Sequence, residues 1–391
     1  MFNFEIVNMF IERTLGKYLE ESFRQFPVIT ITGPRQSGKT TLCRHVFKAL
    51  PYVNLERLSE REFAREDPEG FLQRFPEGAI IDEIQNVPEI LSEIQVVVDQ
   101  AQRNGMFVLT GSQQYSLREA LSQSLAGRTA LFRLLPFALE ELGKSGTTLS
   151  TDQLLYKGGF PRIHEQNLSP TQTLGDYFET YVQRDLLQVS SIKNLDAFVK
   201  LTRLCAGRVG QMLNMQSLGN EVGVSQTTVK EWISLLESGY ILFRLPPYHA
   251  NIGKRLVKTP KLYFYDVGLA SYLLGIENPQ HLESHPLRGQ LFENLVVSEL
   301  IKKRYHRGQR PSLHFYRDNI GNEVDVVWKE DEWNLLEIKS ALTVTKEFNK
   351  GFNAWERAHK TITPEKVLVT GGEQDYTRSG VRVVGYRNFL V

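Results

Sequence analysis

Cysteine, net charge and long apolar runs are all scarce in this sequence of 391 residues. Its two cysteines, Cys43 and Cys205, are too few for a disulfide scaffold or a cysteine-based zinc cluster. No apolar run approaches the roughly 18 residues that a membrane helix needs, and the N-terminus lacks the basic start of a secretory signal. Lysine and arginine (46) nearly balance aspartate and glutamate (45), which excludes a globally basic or acidic protein. We therefore expect a cytoplasmic protein without a membrane partner.

What is present is typical of soluble globular domains, with 41% apolar and 23% charged residues. At roughly 100–200 residues per domain, the length predicts two to three domains. The charge is segregated, because residues 200–261 hold nine basic and three acidic residues, a net charge of +6 that leaves −5 for the rest of the chain. A basic middle in an acidic chain favours a module that meets an anion, most simply nucleic acid.

Apolar periodicity predicts the order of the secondary-structure elements. Residues 3–24 have helical spacing, and strands are then predicted at residues 28–32, 52–55, 79–81, 106–110 and 129–134, with helices from residue 39, near 89–103 and near 115–127. This alternation is typical of a parallel sheet with helices on both faces. Residues 152–200 are predicted to be helical, residues 201–248 to be helices that end in a short hairpin, and the chain after residue 287 to contain helix, strands, helix and strand.

A glycine-rich motif lies between the first strand and the helix that follows it. Residues 33–40, Gly-Pro-Arg-Gln-Ser-Gly-Lys-Thr, match the pattern G-x-x-x-x-G-K-[ST]. In such a loop the glycines let backbone N–H groups surround phosphate oxygens, and the helix N-terminus adds positive potential. Lys39 is expected to contact the β and γ phosphates, and Thr40 to bind Mg²⁺. The predicted nucleotide-binding residues are Gly33, Pro34, Arg35, Gln36, Ser37, Gly38, Lys39, Thr40 and Thr41.

An acidic pair follows a second buried strand in the sequence Ala79-Ile80-Ile81-Asp82-Glu83. The strand delivers Asp82 to the carboxyl edge of the sheet, where ligands bind in open α/β folds. We expect Asp82 to hold the Mg²⁺ and Glu83 to orient and polarise the attacking water. The two motifs together predict a protein that binds and hydrolyses ATP, with Mg²⁺ as a cofactor.

These motifs resemble those of the AAA+ ATPases. The segment 107–112 is similar to the strand that ends in the family's sensor 1 residue, which implies this role for Ser112, with Thr110 as the second choice. Leu125-Ala126-Gly127-Arg128 resembles the segment that carries the family's arginine finger. The resemblance therefore implies that Arg128 acts on a neighbouring subunit of a homo-oligomer. The alternative for Arg128 is a cation that stabilises the end of a helix.

Two further segments have family counterparts. Gly158-Gly159-Phe160-Pro161 resembles a lid-entry motif whose proline packs on adenine, and a simple turn explains it equally well. Residues 260–269, Pro-Lys-Leu-Tyr-Phe-Tyr-Asp-Val-Gly-Leu, resemble a segment of prokaryotic ATPases that have a C-terminal domain of unknown function, and we expect Asp266 to cap the following helix.

The basic middle of the chain resembles a winged helix-turn-helix at residues 217–247. Gly223 lies at the turn, and Ser225 is a good N-cap for the second helix. The predicted buried face of that helix is Val229, Trp232, Ile233 and Leu236, and its outer face is Gln226, Thr227, Lys230 and Glu231. Residues 240–247 are similar to the wing, and a basic string follows, formed by Lys254, Arg255, Lys258 and Lys261. Such a module reads a DNA groove or packs against another domain, and the sequence leaves both open.

Three C-terminal segments contribute carboxylates and a lysine. Glu293 lies in an apolar helix, Asp325 in a predicted strand, and Glu337 and Lys339 on one face of the next strand, because residues two apart share a face. This set resembles the PD-(D/E)XK nuclease fold, although Val324 replaces the motif's proline. The resemblance implies that Asp325, Glu337 and Glu293 bind Mg²⁺ and that Lys339 positions or deprotonates water. A degenerate nuclease fold, or a hairpin with a chance Glu-x-Lys pair, stays an alternative.

Over nearly the whole chain, this order of modules resembles prokaryotic AAA+ family ATPases with a C-terminal domain of unknown function 4143. The predicted fold class is α/β, with a P-loop AAA+ parallel sheet followed by a winged-helix module and a PD-(D/E)XK-like α/β domain. The predicted domains are an AAA+ ATPase domain with an N-terminal helix at residues 1–145, a helical lid or connector at 146–200, a winged helix-turn-helix at 201–275 and a nuclease-like domain at 281–391.

Three functions follow from this organisation. The first is an ATPase that acts on or with DNA and is coupled to a metal-dependent nuclease. The second is a nucleotide-gated regulator or DNA-binding switch in which the nuclease fold is inert. The third is a protein-remodelling machine, which ranks last because the sequence shows no aromatic pore-loop signature.

Overall fold

The computed structural model describes residues 10–112, 123–185, 194–248, 259–342 and 346–391. Its N-terminal part is built on a parallel sheet of five strands in the order β2-β3-β4-β1-β5. The strands are β1 (Val28–Thr32), β2 (Tyr52–Asn54), β3 (Ala79–Asp82), β4 (Phe107–Gly111) and β5 (Thr129–Arg133). The helices are α1 (Leu15–Phe23), α2 (Lys39–Val46), α3 (Leu58–Glu66), α4 (Pro68–Gln73) and α5 (Ile90–Ala101). The predicted strands are confirmed to within one residue at each end.

The parallel sheet is covered on both faces, which explains why its strands are continuous apolar runs. Alternate residues of β1 belong to different hydrophobic clusters, Val28 on one face and Ile29 and Ile31 on the other. Strands β3 and β4 are buried along their whole length. Because the strands are parallel, the segments that follow β1, β3 and β4 meet at one edge of the sheet.

The N-terminal region differs from the prediction in two ways. Helix α1 begins only at Leu15, and residues 10–13 are not helical, because Arg13 points into the protein and the backbone N–H of Thr14 binds a buried glutamate. Helices α3 and α4 were not predicted, since α3 buries only Ala64 and has a weak apolar stripe. Residues 1–9 and most of the helix predicted near 115–127 lie outside the described residues.

A helical region connects the first sheet to the second. It contains α6 (Leu139–Lys144), α7 (Thr151–Lys157), α8 (Pro161–Glu165), α9 (Pro170–Tyr177), a π-helix (Phe178–Asp185), α10 (Leu195–Ala206), α11 (Met215–Val222), α12 (Gln226–Ser238), the strands β6 (Leu242–Leu245) and β7 (Lys261–Phe264), and α13 (Val267–Leu273). Three helices, α10 to α12, are thus followed by the antiparallel pair β6-β7. The strand that pairs with the predicted wing comes from residues 261–264, and it begins at Lys261, the last residue of the basic string.

Helix α12 has the two faces that were predicted for it. The Ser225 hydroxyl accepts a hydrogen bond from the backbone N–H of Thr228, which confirms its role as N-cap. The predicted inner face is buried and the predicted outer face is exposed. Lys254, Arg255 and Lys258 lie outside the described residues.

The C-terminal part is a mixed sheet of six strands in the order β12-β13-β11-β10-β9-β8. Its elements are α14 (Arg288–Tyr305), β8 (His314–Arg317), β9 (Glu323–Lys329), β10 (Trp333–Lys339), α15 (Lys350–Ala358), β11 (Glu365–Thr370), β12 (Asp375–Arg378), β13 (Val381–Gly385) and α16 (Tyr386–Leu390). Strand β11 runs parallel to β10 and β13, and the other pairs are antiparallel. Within the described ranges, no helix is both long enough and apolar enough to cross a membrane.

Candidate functional sites

The phosphate loop, residues 33–38, joins β1 to α2 and has a backbone that only glycine fits at two positions. A Cβ on Gly33 would lie 2.1 Å from the carbonyl oxygen of Leu134, and Gly38 has a left-handed φ of 89°. The hydroxyl of Ser37 is buried and has no hydrogen-bond partner among the described residues. A buried hydroxyl without a partner is costly on its own, so its place in this loop fits a ligand with acceptor oxygens.

Lys39 is held at the base of this loop by neutral groups. Its side chain is buried, and its ammonium group donates to the carbonyl oxygens of Gly33 at 3.1 Å and Pro34 at 2.8 Å. Burial lowers the pKa of Lys39, and the carboxylates of Glu83 and Asp82 oppose that shift. No carboxylate forms a direct ion pair with this ammonium group in the described part of the chain. The positive charge of Lys39 is therefore available to an anion.

Asp82 lies at the end of β3 and is bound by three hydroxyl groups. Its Oδ2 accepts from Thr40 at 2.8 Å and from Tyr52 at 2.7 Å, and its Oδ1 accepts from Thr110. The predicted magnesium ligands Thr40 and Asp82 are thus in direct contact. A hydroxyl and a carboxylate beside a phosphate loop are the oxygen ligands that Mg²⁺ accepts together with phosphates and water. Tyr52 had no predicted role in this set.

Glu83 follows directly and has a strained backbone, with a left-handed φ of 58°. Its carboxylate accepts hydrogen bonds from Ser112 at 3.2 Å and from the side chain of Gln85. Its backbone N–H lies 3.3 Å from the Thr110 hydroxyl. The structure therefore brings the predicted Glu83 and Ser112 together, whereas Thr110 binds Asp82. A strained residue at the edge of the sheet is common at functional sites.

Other residues predicted for this site have different surroundings. Arg128 forms a two-pronged ion pair with Asp99 of α5, with N···O distances of 2.6 and 2.7 Å. Its role as an arginine finger stays a prediction. Pro161 lies close to the phosphate loop, because its Cγ is 3.9 Å from the position that a Cβ of Gly38 would take. Arg35 lies over the ring of Tyr181 at 5.7 Å.

Asp266 links the Gly-Gly turn to the helix after β7. One of its oxygens accepts from the backbone N–H of Leu269 at 3.0 Å, which confirms the predicted cap of α13. The other oxygen accepts from the backbone N–H of Gly159 at 2.7 Å. A residue of the middle region therefore fixes the turn that places Pro161 beside the phosphate loop.

The C-terminal carboxylate centre consists of Glu293, Asp325 and Glu337, which face one side of the second sheet. Lys339 forms an ion pair with Glu337 at 2.7 Å and is half exposed. Burial and the charge of Asp325 raise the pKa of Glu337 to about 8 and that of Glu293 to about 7. The structure brings these predicted side chains to one centre, while their chemical roles stay predictions.

A fourth residue, Lys261, lies inside this centre. It is 3% exposed, and its ammonium group lies 3.1 Å from Glu293, 2.5 Å from Glu323 and 3.5 Å from Asp325. Burial alone disfavours its charge, but Tyr263, Glu293 and Asp325 raise its pKa well above the usual value. Lys261, which was grouped with the basic string, is therefore buried among carboxylates and cannot contribute to a basic surface. Alternation along β7 turns Lys261 and Tyr263 to the same side, where Tyr263 also donates to Glu293 at 2.6 Å.

As arranged here, the carboxylate centre does not fit a divalent cation. The ammonium group of Lys261 stands between Glu293 and Asp325, where a shared ion would have to bind. Among the described residues, no three His, Cys, Asp or Glu side chains are placed to hold a metal ion. A pattern in the sequence could have indicated that Glu323 and Lys261 belong to this centre. Glu323 is two residues from Asp325, and Lys261 is two residues from Tyr263, so the members of each pair share one face of their strand.

Three family models match successive parts of the chain. An AAA domain matches residues 25–143, a domain of unknown function (DUF8612) matches residues 148–280, and a domain of unknown function (DUF4143) matches residues 288–389. The chain thus carries an AAA domain at its N-terminus and a DUF4143 domain at its C-terminus. The family resemblance noted from the sequence is thereby confirmed.

The relatives of this AAA protein include uncharacterized proteins of Mycobacterium tuberculosis and Mycobacterium bovis. Each is 31% identical over 296 residues, which cover 75% of this chain and 66% of the relative. The chain therefore spans just under two thirds of these relatives. Among solved structures, a Walker-type ATPase of Pyrococcus abyssi is 14% identical, with a TM-score of 0.45, and the match covers 68% of this chain and 96% of that one.

Proposed function

We propose that this AAA protein hydrolyses ATP and acts as a nucleotide-gated switch on DNA. The observation that carries the proposal is the arrangement at the sheet edge, where a buried lysine with neutral partners lies beside the Thr40–Asp82 pair and the Glu83–Ser112 pair. These groups can bind a polyphosphate, a cation and a water molecule, respectively. The first sheet supplies all of them.

Each residue has a distinct task in this proposal. The backbone N–H groups of the phosphate loop and Lys39 bind the phosphate oxygens, and Thr40 and Asp82 hold Mg²⁺. When bound, Mg²⁺ neutralises charge on the β and γ phosphate oxygens. Glu83 accepts a proton from the attacking water, and Ser112 keeps its carboxylate in place. Tyr52 and Thr110 orient Asp82 through their hydrogen bonds.

Two variants test this assignment. Lys39→Ala should lose ATP binding, because the phosphate-contacting charge is gone. Glu83→Gln should keep ATP binding and lose turnover by about 100-fold or more, since the proton acceptor is removed. Glu66→Gln, which changes an exposed glutamate on α3, is the matched control and should behave like the wild type. Undiminished hydrolysis by Glu83→Gln would show that another group activates the water.

The proposal for a homo-oligomer rests on Arg128. Its ion pair with Asp99 is partly exposed, so a neighbouring subunit's phosphate could compete with Asp99 for the guanidinium. Mixing Arg128→Ala protein with Lys39→Ala protein should then restore hydrolysis, because each supplies the group that the other lacks. If mixing restores no hydrolysis and the specific activity does not depend on protein concentration, Arg128 has no role at a neighbouring subunit and serves the ion pair with Asp99.

The proposal for DNA rests on the exposed outer face of α12 and on the basic residues before β7. Replacing Lys254, Arg255 and Lys258 together should weaken binding to duplex DNA and flatten its salt dependence, by about 0.9 logarithmic units of slope per lost phosphate contact. Lys261 is excluded from this set because it is buried among carboxylates. An unchanged salt slope would make the middle region a packing module.

Metal-dependent cleavage is the second candidate, and the convergence of Glu293, Asp325, Glu337 and Lys339 favours it. The position of Lys261 favours the inert alternative. Plasmid, linear and single-stranded DNA incubated with Mg²⁺ or Mn²⁺, with and without ATP, would separate the two. Cleavage that Asp325→Ala, Glu337→Ala and Lys339→Ala each abolish would establish the nuclease. Titration with Mn²⁺, followed by electron paramagnetic resonance in an Asp82→Asn background, should show no stoichiometric uptake if the centre is inert.

A further inference from the structure

A buried arginine forms a hydrogen bond to the phosphate loop from the interior of the protein. Arg13, which precedes α1, donates to the carbonyl oxygen of Ser37 at 2.8 Å and to that of Leu135 at 2.6 Å. Its Nε donates to Glu141 at 3.1 Å, and both side chains are almost inaccessible to solvent. Ser37 belongs to the phosphate loop, and Leu135 follows β5. One guanidinium group therefore ties the loop to the segment at residues 135–139.

Glu141 is the anchor for this guanidinium. Its carboxylate also accepts from the backbone N–H groups of Thr14 and Ala138, each at 2.9 Å. Burial opposes its ionisation, but Arg13 and His306 outweigh burial and lower the pKa of Glu141 to about 2. The carboxylate is ionised at neutral pH, so the Arg13–Glu141 contact is a buried, charge-assisted hydrogen bond.

The DUF4143 domain contacts the same segment, residues 135–139, through side chains at the C-terminal end of α14. His306 accepts from the backbone N–H of Leu135 at 3.2 Å through Nε2, and its Nδ1 lies 3.5 Å from Glu141. One turn earlier, Lys302 donates to the carbonyl oxygen of Phe137 at 2.9 Å, and Glu299 accepts from the backbone N–H of Leu139 at 2.7 Å. Three side chains on one helix face thus fix the segment that Arg13 connects to the phosphate loop.

We propose that Glu141 and His306 are positioning residues of the nucleotide site, so that the DUF4143 domain sets the affinity of the AAA domain for ATP. Arg13 transmits their position to the carbonyl group of Ser37. Phosphate binding depends on backbone N–H groups that must point at the ligand together, so a small displacement of the loop weakens several hydrogen bonds at once. This inference rests on the proposed ATP site.

The contacts between the DUF4143 domain and the phosphate loop follow a defined path, from His306 through Leu135 and Arg13 to Ser37, which general packing between domains does not require. Removing His306 leaves Arg13 and Glu141 in place but frees the backbone N–H of Leu135, which then has lost its acceptor. Glutamine at position 306 could still accept from that N–H, whereas alanine could not. The Arg288–Asp152 ion pair is a control, because it is at the other end of α14, at 2.8 Å, and does not touch residues 135–139.

The test uses full-length His306→Ala, His306→Gln, Glu141→Gln and Arg288→Met, each assayed for binding of a fluorescently labelled ATP and for its thermal midpoint. His306→Ala and Glu141→Gln should weaken ATP binding by about 10-fold or more, in line with the cost of misplacing a binding group. His306→Gln should retain most of the affinity, and Arg288→Met should retain it fully. Wild-type affinity in His306→Ala, or an equal loss in Arg288→Met, would overturn the inference.

A second measurement needs no variant and stays informative if Glu141→Gln does not fold. In the wild-type protein, ATP should slow amide hydrogen exchange at residues 135–139 and 302–306 as well as in the phosphate loop. Protection confined to the loop would contradict the inference. If labelled ATP does not bind to the wild-type protein in a Lys39-dependent manner, the proposed function itself fails. That outcome is distinct from one in which ATP binds at the phosphate loop but the DUF4143 domain does not affect its affinity.

Discussion

Two buried lysines, Lys39 and Lys261, differ in the charge of their partners. Both are almost inaccessible to solvent, at 5% and 3% exposure. Lys39 donates to two backbone carbonyl oxygens, so its charge is solvated but not neutralised. Lys261 contacts Glu293 and Glu323, so its charge is balanced within the protein. The same residue type therefore keeps an unneutralised charge beside the phosphate loop in one case and lies in a closed ion cluster in the other.

The largest expected effect comes from removing the first lysine. Lys39→Met should weaken ATP binding on the order of 100-fold or more, because several charge-assisted contacts to phosphate are lost together. The free energy of unfolding without nucleotide should not fall, since burial of an unneutralised ammonium is itself unfavourable. Labelled-ATP titration and urea unfolding measure the two quantities. A strongly destabilised Lys39→Met protein would remove the distinction between the two lysines.

The second lysine should show the opposite result. Lys261→Met should lower the free energy of unfolding by about 3–5 kcal/mol, because it leaves buried carboxylates without a counter-charge. The double variant Lys261→Met/Glu293→Gln should recover part of this loss, since one of those carboxylates becomes neutral. Urea unfolding of the full chain is the measurement. ATP binding should change little, because the contacts of Lys261 are with Glu293, Glu323 and Asp325 and not with the phosphate loop. An unaltered stability of Lys261→Met would show that these contacts are not formed in solution.

A third buried basic group, His306, sharpens the comparison because it is neutral. Burial lowers the pKa of His306 to about 4 despite the nearby Glu141, so the unfolded chain binds a proton that the folded chain does not. Stability should therefore be full above pH 6.5 and fall towards pH 4, by about 3 kcal/mol if His306 is the main cause. The low pKa of Glu141 extends the same trend to lower pH. In His306→Gln, the free energy of unfolding should depend less on pH between pH 6.5 and 4. The same pH dependence in that variant as in the wild type would assign the acid sensitivity to other groups.

The smallest effect is expected at Lys339. This lysine also pairs with a carboxylate, but its side chain is 52% exposed, so water solvates the charge after the pair is broken. Lys339→Met should change the free energy of unfolding by at most about 1 kcal/mol. Urea unfolding curves of Lys339→Met and Lys261→Met, measured side by side, would compare the loss of an exposed ion pair with the loss of a buried one in the same centre. Equal losses would mean that burial does not distinguish them.

The parts of the structure that were predicted from sequence are those with local causes. The phosphate loop and Asp82 each follow a short apolar strand, and parallel strands bring such segments to one edge of a sheet. Period-two alternation placed Glu337 and Lys339 on one face. The N-cap of α12 followed from Ser225 and the helical stripe after it.

The parts that were missed depend on contacts between distant segments. Lys261 meets Glu293 across 32 residues and Arg13 meets Glu141 across 128 residues, so no local pattern links them. Lys261 was grouped with its basic neighbours, because sequence distance cannot show that β7 turns its side chain towards α14. Arg13 lies within the helix predicted at residues 3–24, and nothing in that local pattern indicates a buried partner. In both cases the partner of the buried charge lies in a distant segment of the chain, and for Lys261 that segment belongs to another domain.

Helix α14 has a consequence for how this chain can be divided. It carries Glu293 near its start and Lys302 near its end, and these residues reach different neighbours in β7 and in the AAA domain. A fragment that begins at residue 281 would keep the acidic cluster and lose Lys261. A fragment that ends at residue 280 would keep Lys261 and strip the 135–139 segment of its partners. We therefore expect that the two halves, when co-expressed as separate polypeptides, are recovered only as a complex. We also expect that the two halves stay encoded by a single gene.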